Sequence, residues 1–347
     1  MQYRRLGKTN LQVSEISFGT GDNAGLMMNA PEAERLRAFE RALELGINYF
    51  DTSPDYGKGR AEENLGAALR HFGAQSRQPL YTCTKIEIMA ADFGDLAGAV
   101  VSSLDASLKR LKLDHVDVLM IHNPPRLIAD PAAGHWHPVS PEHMMGPLLE
   151  GLERTRSAGK SKFFGFTCEN AEPAAVKPLL SSGKFDAINC WYNMVNPTAG
   201  MVMPPGVRFG KDYDDYGGII THAGECDVGV CVIRPLSGGA LTPQALERGK
   251  HGRHPNAGGM YTRQPEAFRP ETLRGRAFAF LHKPPRTLPV AGYQFALAHK
   301  AVTTVVGGFS DYPQLEETVA AAGHPALTVE ELAEIQAVYR RNFDLGA

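Results

Sequence analysis

The chain has 347 residues, 43% hydrophobic and 21% charged, the balance of a globular protein with a large core. Its formal net charge is −2 at pH 7, so no basic excess points to nucleic acid or to an anionic membrane surface. There is no signal-peptide pattern at the start, no run of about 18 apolar residues, and an odd set of five cysteines without a C-x-x-C pair; this reads as a cytoplasmic protein with reduced thiols.

In chain order, the first expected element is a hairpin over 3–16. There Gly7-Lys8-Thr9-Asn10 separates strand-like residues, suited to closing the bottom of a barrel. Eight short apolar runs follow, at 15–18, 47–50, 80–84, 116–121, 162–166, 187–191, 228–233 and 303–306. They are rich in β-branched and aromatic residues and do not alternate, the pattern of strands buried on both faces. Helical periodicity falls at 31–45, 95–111, 141–157, 172–181, 216–225, 288–298 and 312–322. Gly46, Gly73, Gly159 and Gly183 stand where helices should end. A last helix is expected over 328–342, with Thr328 and Glu331 in capping-box spacing. Strands alternating with helices predict one α/β domain over 1–347, a closed (β/α)8 TIM barrel. Two long segments, 123–140 and 238–289, interrupt the pattern after strand C-termini, the face where barrel active sites lie.

Four residues at strand ends have complementary chemistry. Asp51 follows the second run and Tyr56 lies five positions on; Lys85 follows the third run and His122 the fourth. Each alone is commonly a cap, a half-exposed lysine or a satisfied core histidine. On one barrel rim they suit carbonyl reduction, where the oxygen gains charge and needs a proton. A free phenol, with a pKa of about 10, is a weak acid at neutral pH, and a nearby ammonium lowers it. Lys85 would so act on Tyr56, Asp51 would hold Lys85, and His122 would hydrogen-bond the carbonyl oxygen.

With these residues in view, the chain resembles the aldo-keto reductase family over essentially its full length. Residues 4–14 (RRLGKTNLQVS) look like the family's opening hairpin. Asn48-Tyr49-Phe50-Asp51-Thr52-Ser53, Tyr56-Gly57 and Glu62-Glu63-Asn64-Leu65-Gly66 look like its first signature; 104–111 and 114–122 look like its second. The resemblance implies the Asp51, Tyr56, Lys85, His122 tetrad, NAD or NADP as cofactor, no metal, and a small carbonyl or alcohol as substrate.

It also implies a cofactor site with departures from the family pattern. Thr167-Cys168 stands where a Ser-Asn pair is usual, and Asn189 where a Gln is usual. Arg234, Pro235 and Leu236 replace a segment whose aromatic ring packs on the nicotinamide; Leu236 to Leu241, including Gly238, resembles the loop over the pyrophosphate. Gly308, Phe309, Ser310 and Asp311 precede a helix, an arrangement whose N–H groups bind anions. The adenosine end is expected there, with Gln314, Glu317 and Thr318; Gly19 and Thr20 complete the set. No Lys or Arg occurs from 303 to 324 to meet a 2′-phosphate, which tilts the expectation toward NAD.

Phe93, Trp136, Trp191 and Tyr192 are candidate pocket walls, and Asn123, His135, His137 and Arg234 candidate partners for a hydroxylated sugar. Three other readings exist. Residues 19–24 fit G-x-G-x-x-A with Asp51 after the next strand, a Rossmann arrangement. His122, His135 and His137 could ligate a metal in a hydrolase barrel. A cofactor-binding regulatory subunit with slow turnover is the third.

Overall fold

The computed structural model describes residues 1–133, 137–205, 207, 215–248, 254–258, 269–323 and 325–345. Strands β1 (Tyr3–Arg5) and β2 (Gln12–Ser14) pair antiparallel around a 3-10 turn at Gly7–Thr9. Eight more strands follow: β3 (Ile16–Gly19), β4 (Tyr49–Asp51), β5 (Tyr81–Ile86), β6 (Val116–Ile121), β7 (Ser161–Thr167), β8 (Ala187–Trp191), β9 (Gly229–Ile233) and β10 (Val302–Gly308). Each pairs in parallel with the next, and β10 returns to β3, closing a TIM barrel. Each of the eight apolar runs seen in the sequence overlaps one of these strands.

Parallel neighbours need crossover connections, and helices supply them. Leu96–Leu111 illustrates why: Asp95 caps it by accepting from the Gly98 N–H, and Val100, Leu104, Leu108 and Leu111 bury one stripe. The 141–157 candidate is divided, with a wider π turn at Met144–Leu148, containing Pro147, before Leu149–Ser157. Gly46, Gly159 and Gly183 take positive φ at helix ends. Gly73 is a correction: its φ is −57°, and the helix Arg60–Phe72 winds on through a 3-10 turn. The last helix, Val329–Arg340, carries the Thr328/Glu331 capping box.

The barrel interior is a packed core of Tyr49, Cys83, Val118, Met120, Ala187, Cys231 and Val306, and the hairpin adds Leu6 and Val13 as its floor. Asn48 pins the hairpin by accepting from the Ser14 N–H at 2.8 Å and donating to the Gln12 carbonyl at 2.9 Å. The Lys8 N–H donates to the Asp227 carbonyl. Asn48 and Asp227 precede β4 and β9, so the floor lies at the strand N-termini and the mouth at the C-termini. The Rossmann reading fails here. A Cβ on Gly19 would meet Val306 Cγ1 at 2.8 Å, so this glycine serves the close packing of β3 on β10. Among the described residues, no helix is long and apolar enough to cross a membrane.

Candidate active site

Strand pleating turns alternate residues inward. Tyr49 and Cys83 fill the barrel, so Asp51 and Lys85, two positions on, point into it nearer the mouth. Lys85 is fully buried; its Nζ donates to Asp51 Oδ1 at 2.6 Å and to the Thr52 carbonyl at 2.8 Å. The loop after β4 brings the Tyr56 hydroxyl to 3.4 Å from the same Nζ. Asn189 donates to Asp51 Oδ2 at 2.9 Å. Thr20 Oγ1 bonds the Asp51 carbonyl and the Thr52 hydroxyl, holding this turn from β3.

Burial, the largest single influence, lowers the Lys85 pKa, but the charge and hydrogen bond of Asp51 together with Tyr56 and Cys83 more than offset it; the net shift is upward and Lys85 stays an ammonium. Tyr56 differs from the sequence expectation. Burial pushes its phenol up, the Lys85 charge pulls it down by less, and Asp51 and Glu169 add to the rise. The net result is a phenol above its ordinary value, firmly protonated at neutral pH.

His122 is buried beside Tyr56, ring centroids 6.0 Å apart and nearly perpendicular. Its N–H donates to the Ile86 carbonyl at 2.8 Å, and its carbonyl accepts from Thr167 Oγ1 at 2.7 Å. Ser53 Oγ lies 3.1 Å from its Nδ1. The four tetrad residues are thus brought together.

One wall of the mouth is an ionic stack. Arg234, at positive φ, lays its guanidinium 3.9 Å from the centre of the Trp191 ring and pairs with Glu169 at 2.6 Å. Trp191 shares the inward parity of Asn189. Tyr192, the first residue past β8, turns away from the mouth, so its assignment to the pocket is corrected: its ring stacks on Phe295 in the helix layer, centroids 5.1 Å apart. Phe93 meets His137 and His143 edge-on. Asn123 is committed to the loop backbone, accepting from the Ile88 N–H and donating to the Ile88 and His137 carbonyls. His135 and Trp136 lie outside the described residues. Among those described, no three His, Cys, Asp or Glu side chains are grouped to hold a metal, so the metallohydrolase reading has no ligand cluster to rest on there.

The loops after β9 and β10 hold the remaining candidates. Leu236 lies against Gly292 of the helix Leu288–Ala298, where Pro235 contributes its carbonyl, and Gly238 has a positive φ of 63°. Gly308 is exposed. The Phe309 ring is buried against Phe18, centroids 5.2 Å apart, which leaves its backbone as the part that faces the rim. Asp311 caps the helix Tyr312–Ala320 by accepting from the Gln314 N–H, and Gln314 Oε1 accepts from the Ser310 N–H. The expected anion-binding amides are therefore partly engaged by their own side chains. Glu317 is half-exposed, and Thr318 is buried beside the Tyr293 phenol.

The long segment after β9 adds groups that sequence reading did not place. His254 Nε2 lies 3.1 Å from Asp311 Oδ2, and Asn256 Nδ2 donates to the Ser310 carbonyl at 2.8 Å. The segment also docks on the first loop, where Gly25, at φ +81°, approaches the Asn256 carbonyl so closely that a Cβ would sit 1.8 Å from it. Glu169, Ser53, His254 and Asn256 were not singled out from sequence. Only Ser53, inside the Asp51-Thr52-Ser53 signature, carried a local signal.

Comparison with known proteins agrees with the fold. The family model described as "Aldo/keto reductase family" matches residues 15–340. L-galactose dehydrogenase of Arabidopsis thaliana is 27% identical over 351 residues, covering 97% of this chain and 94% of that protein. L-glyceraldehyde 3-phosphate reductase of Escherichia coli O157:H7 is 26% identical over 345 residues, covering 96% and 91%. The holo form of aldo-keto reductase AKR11C1 from Bacillus halodurans shares the fold, with a TM-score of 0.69 at 23% identity and coverage of 97% and 96%. The chain belongs to the aldo/keto reductase family, whose members carry out nicotinamide-dependent oxidation and reduction of carbonyl compounds.

Proposed function

We propose that this protein reduces small, hydroxylated aldehydes or ketones, with Tyr56 as the proton donor to the carbonyl oxygen. The observation that carries the reading is the chain from the buried Asp51 and Lys85 to the hydroxyl of the half-buried Tyr56, at 2.6 and 3.4 Å. A bound nicotinamide dinucleotide supplies the hydride.

Asn189 supports that cofactor. Its Oδ1 is buried with no hydrogen-bond partner among the described residues, while its Nδ2 is fixed on Asp51. An oriented acceptor of this kind suits the N–H2 of a carboxamide. Thr167, Arg234, Gly238, Gly308 and Ser310 are the rim residues we assign to the rest of the dinucleotide. NAD is preferred over NADP in this reading: the Asp311 carboxylate caps the helix Tyr312–Ala320, to which we assign the adenosine end, and would repel a 2′-phosphate bound there.

The state of the phenol favours the reductive direction in this reading. A phenol held above its ordinary value keeps its proton until a stronger base appears, and the developing alkoxide is such a base. Lys85 stays charged and stabilises the phenolate left behind. His122 orients the oxygen without needing to give up its own proton. The hydroxylated substrate class rests on the Glu169–Arg234 pair and the Trp191 ring, which together offer acceptor, donor and an apolar face. The names of the two relatives, a dehydrogenase of L-galactose and a reductase of L-glyceraldehyde 3-phosphate, point the same way.

The test is Tyr56→Phe, assayed with NADH and NADPH on glyceraldehyde, alongside cofactor titration by calorimetry. Loss of turnover with cofactor affinity retained is the expected result. Undiminished turnover would overturn the mechanism.

A further inference from the structure

Ser53 has a role that the tetrad alone does not require. It is fully buried and sits two residues beyond Asp51, in the turn that leads to Tyr56. Its Oγ makes two contacts: the Asp55 N–H donates to it at 3.2 Å, and His122 Nδ1 lies 3.1 Å away.

A hydroxyl has one hydrogen and two lone pairs. The Asp55 N–H can only donate, so it occupies a lone pair. If Nδ1 carried a proton, Ser53 would accept a second time and its own hydrogen would be buried without an acceptor. Leaving a buried donor unmade is the expensive arrangement. The inexpensive one has Ser53 donating to an unprotonated Nδ1. The imidazole proton then resides on Nε2. An imidazolium, with protons on both nitrogens, is disfavoured for the same reason.

We infer that Ser53 is a positioning residue that fixes His122 as the neutral tautomer protonated at Nε2. The inference rests on the Tyr56-centred reading only for its catalytic consequence; the tautomer itself follows from the hydrogen bonds. In that state His122 donates to the substrate oxygen and has no spare proton to deliver. The proton is left to Tyr56, and the two neighbours divide the work. The backbone bonds on both sides of His122, to Ile86 and from Thr167, hold the ring's attachment in place while Ser53 sets which nitrogen is the donor.

The test uses the full chain labelled with 15N-histidine. Long-range 1H–15N correlation spectra at neutral pH distinguish the tautomers, and His122→Gln identifies the signals by their loss. Wild type should show Nε2 protonated and Nδ1 as acceptor. Ser53→Ala should shift His122 toward the other tautomer or a mixture. It should also lower kcat/KM for reduction about tenfold, and Ser53→Thr, which keeps the hydroxyl, should restore both. A wild-type His122 protonated at Nδ1 would overturn the inference, as would an unchanged tautomer in Ser53→Ala. Should Ser53→Ala fail to fold, the wild-type spectrum still decides. Turnover that survives Tyr56→Phe, beside the expected spectrum, would remove the proposed mechanism and leave the tautomer assignment standing.

Discussion

Lys85 and Asn189 divide one carboxylate between them, Lys85 holding Asp51 Oδ1 at 2.6 Å and Asn189 holding Oδ2 at 2.9 Å. Asp51 thus joins the proton-donor side of the mouth to the side proposed for the carboxamide. Removing Lys85 would leave the carboxylate without its counter-charge, and removing Asn189 would leave Oδ2 without its hydrogen bond.

Lys85→Met removes the cation and leaves Asp51 buried and uncompensated. Breaking a buried pair in this way costs about 3–5 kcal/mol of stability, and thermal unfolding should show it. Reduction should fall by about 10²-fold or more, since the phenolate formed at Tyr56 loses its counter-charge. A variant with wild-type stability and turnover would remove Lys85 from the mechanism.

The pH dependence has a definite sign. The Tyr56 phenol lies above its ordinary value, so it is protonated from pH 6 to 9 and reduction should be insensitive to its titration there. Alcohol oxidation needs the phenolate, whose fraction rises about tenfold per pH unit below the pKa. The oxidative rate should therefore climb across the range. A reductive limb that falls with a midpoint near pH 8 would contradict this assignment.

Asp311 makes a prediction about the cofactor. NADH should bind more tightly than NADPH, and Asp311→Asn should narrow the ratio, by about tenfold if one charge repulsion of about 1.4 kcal/mol is lost. Asn caps helices as well as Asp, so the helix Tyr312–Ala320 should keep its stability. Parallel calorimetric titrations decide the matter; an unaltered ratio would assign discrimination to other residues, His254 first among them.

The Glu169–Arg234 pair makes a prediction about the substrate. Wild type should favour glyceraldehyde over propanal, its deoxy analogue, by at least about tenfold in kcat/KM. Glu169→Gln and Arg234→Met should each reduce that ratio. Equal kcat/KM values for the two aldehydes in wild type would remove the hydroxylated substrate class.

Much of this architecture was legible because it is local. Each barrel strand is a short apolar run, and the tetrad hangs from three of them at fixed offsets. The outward turn of Tyr192 was less legible, because it stands one residue past β8, where strand alternation no longer fixes the direction of a side chain. Other features depend on contacts that no local pattern encodes. His254 reaches Asp311 across more than fifty residues, and Glu169 finds Arg234 from a different loop. The raised phenol of Tyr56 was illegible for a different reason. Its neighbours could be named from sequence, but the degree of burial that outweighs Lys85 exists only once the barrel is packed.

The barrel floor has a consequence for how the chain assembles. The Arg4 guanidinium donates to the Leu297 and Val302 carbonyls, joining the first strand to the approach of the last across nearly the whole chain. Contacts of such long range bear the largest loop-closure entropy, and folds rich in them are slow to form. During synthesis the hairpin emerges before the barrel strands, yet its docking site is finished only when β10 arrives. Residues made ahead of the barrel are therefore among the last to be secured. Until then Leu6 and Val13 have no completed interior to fill.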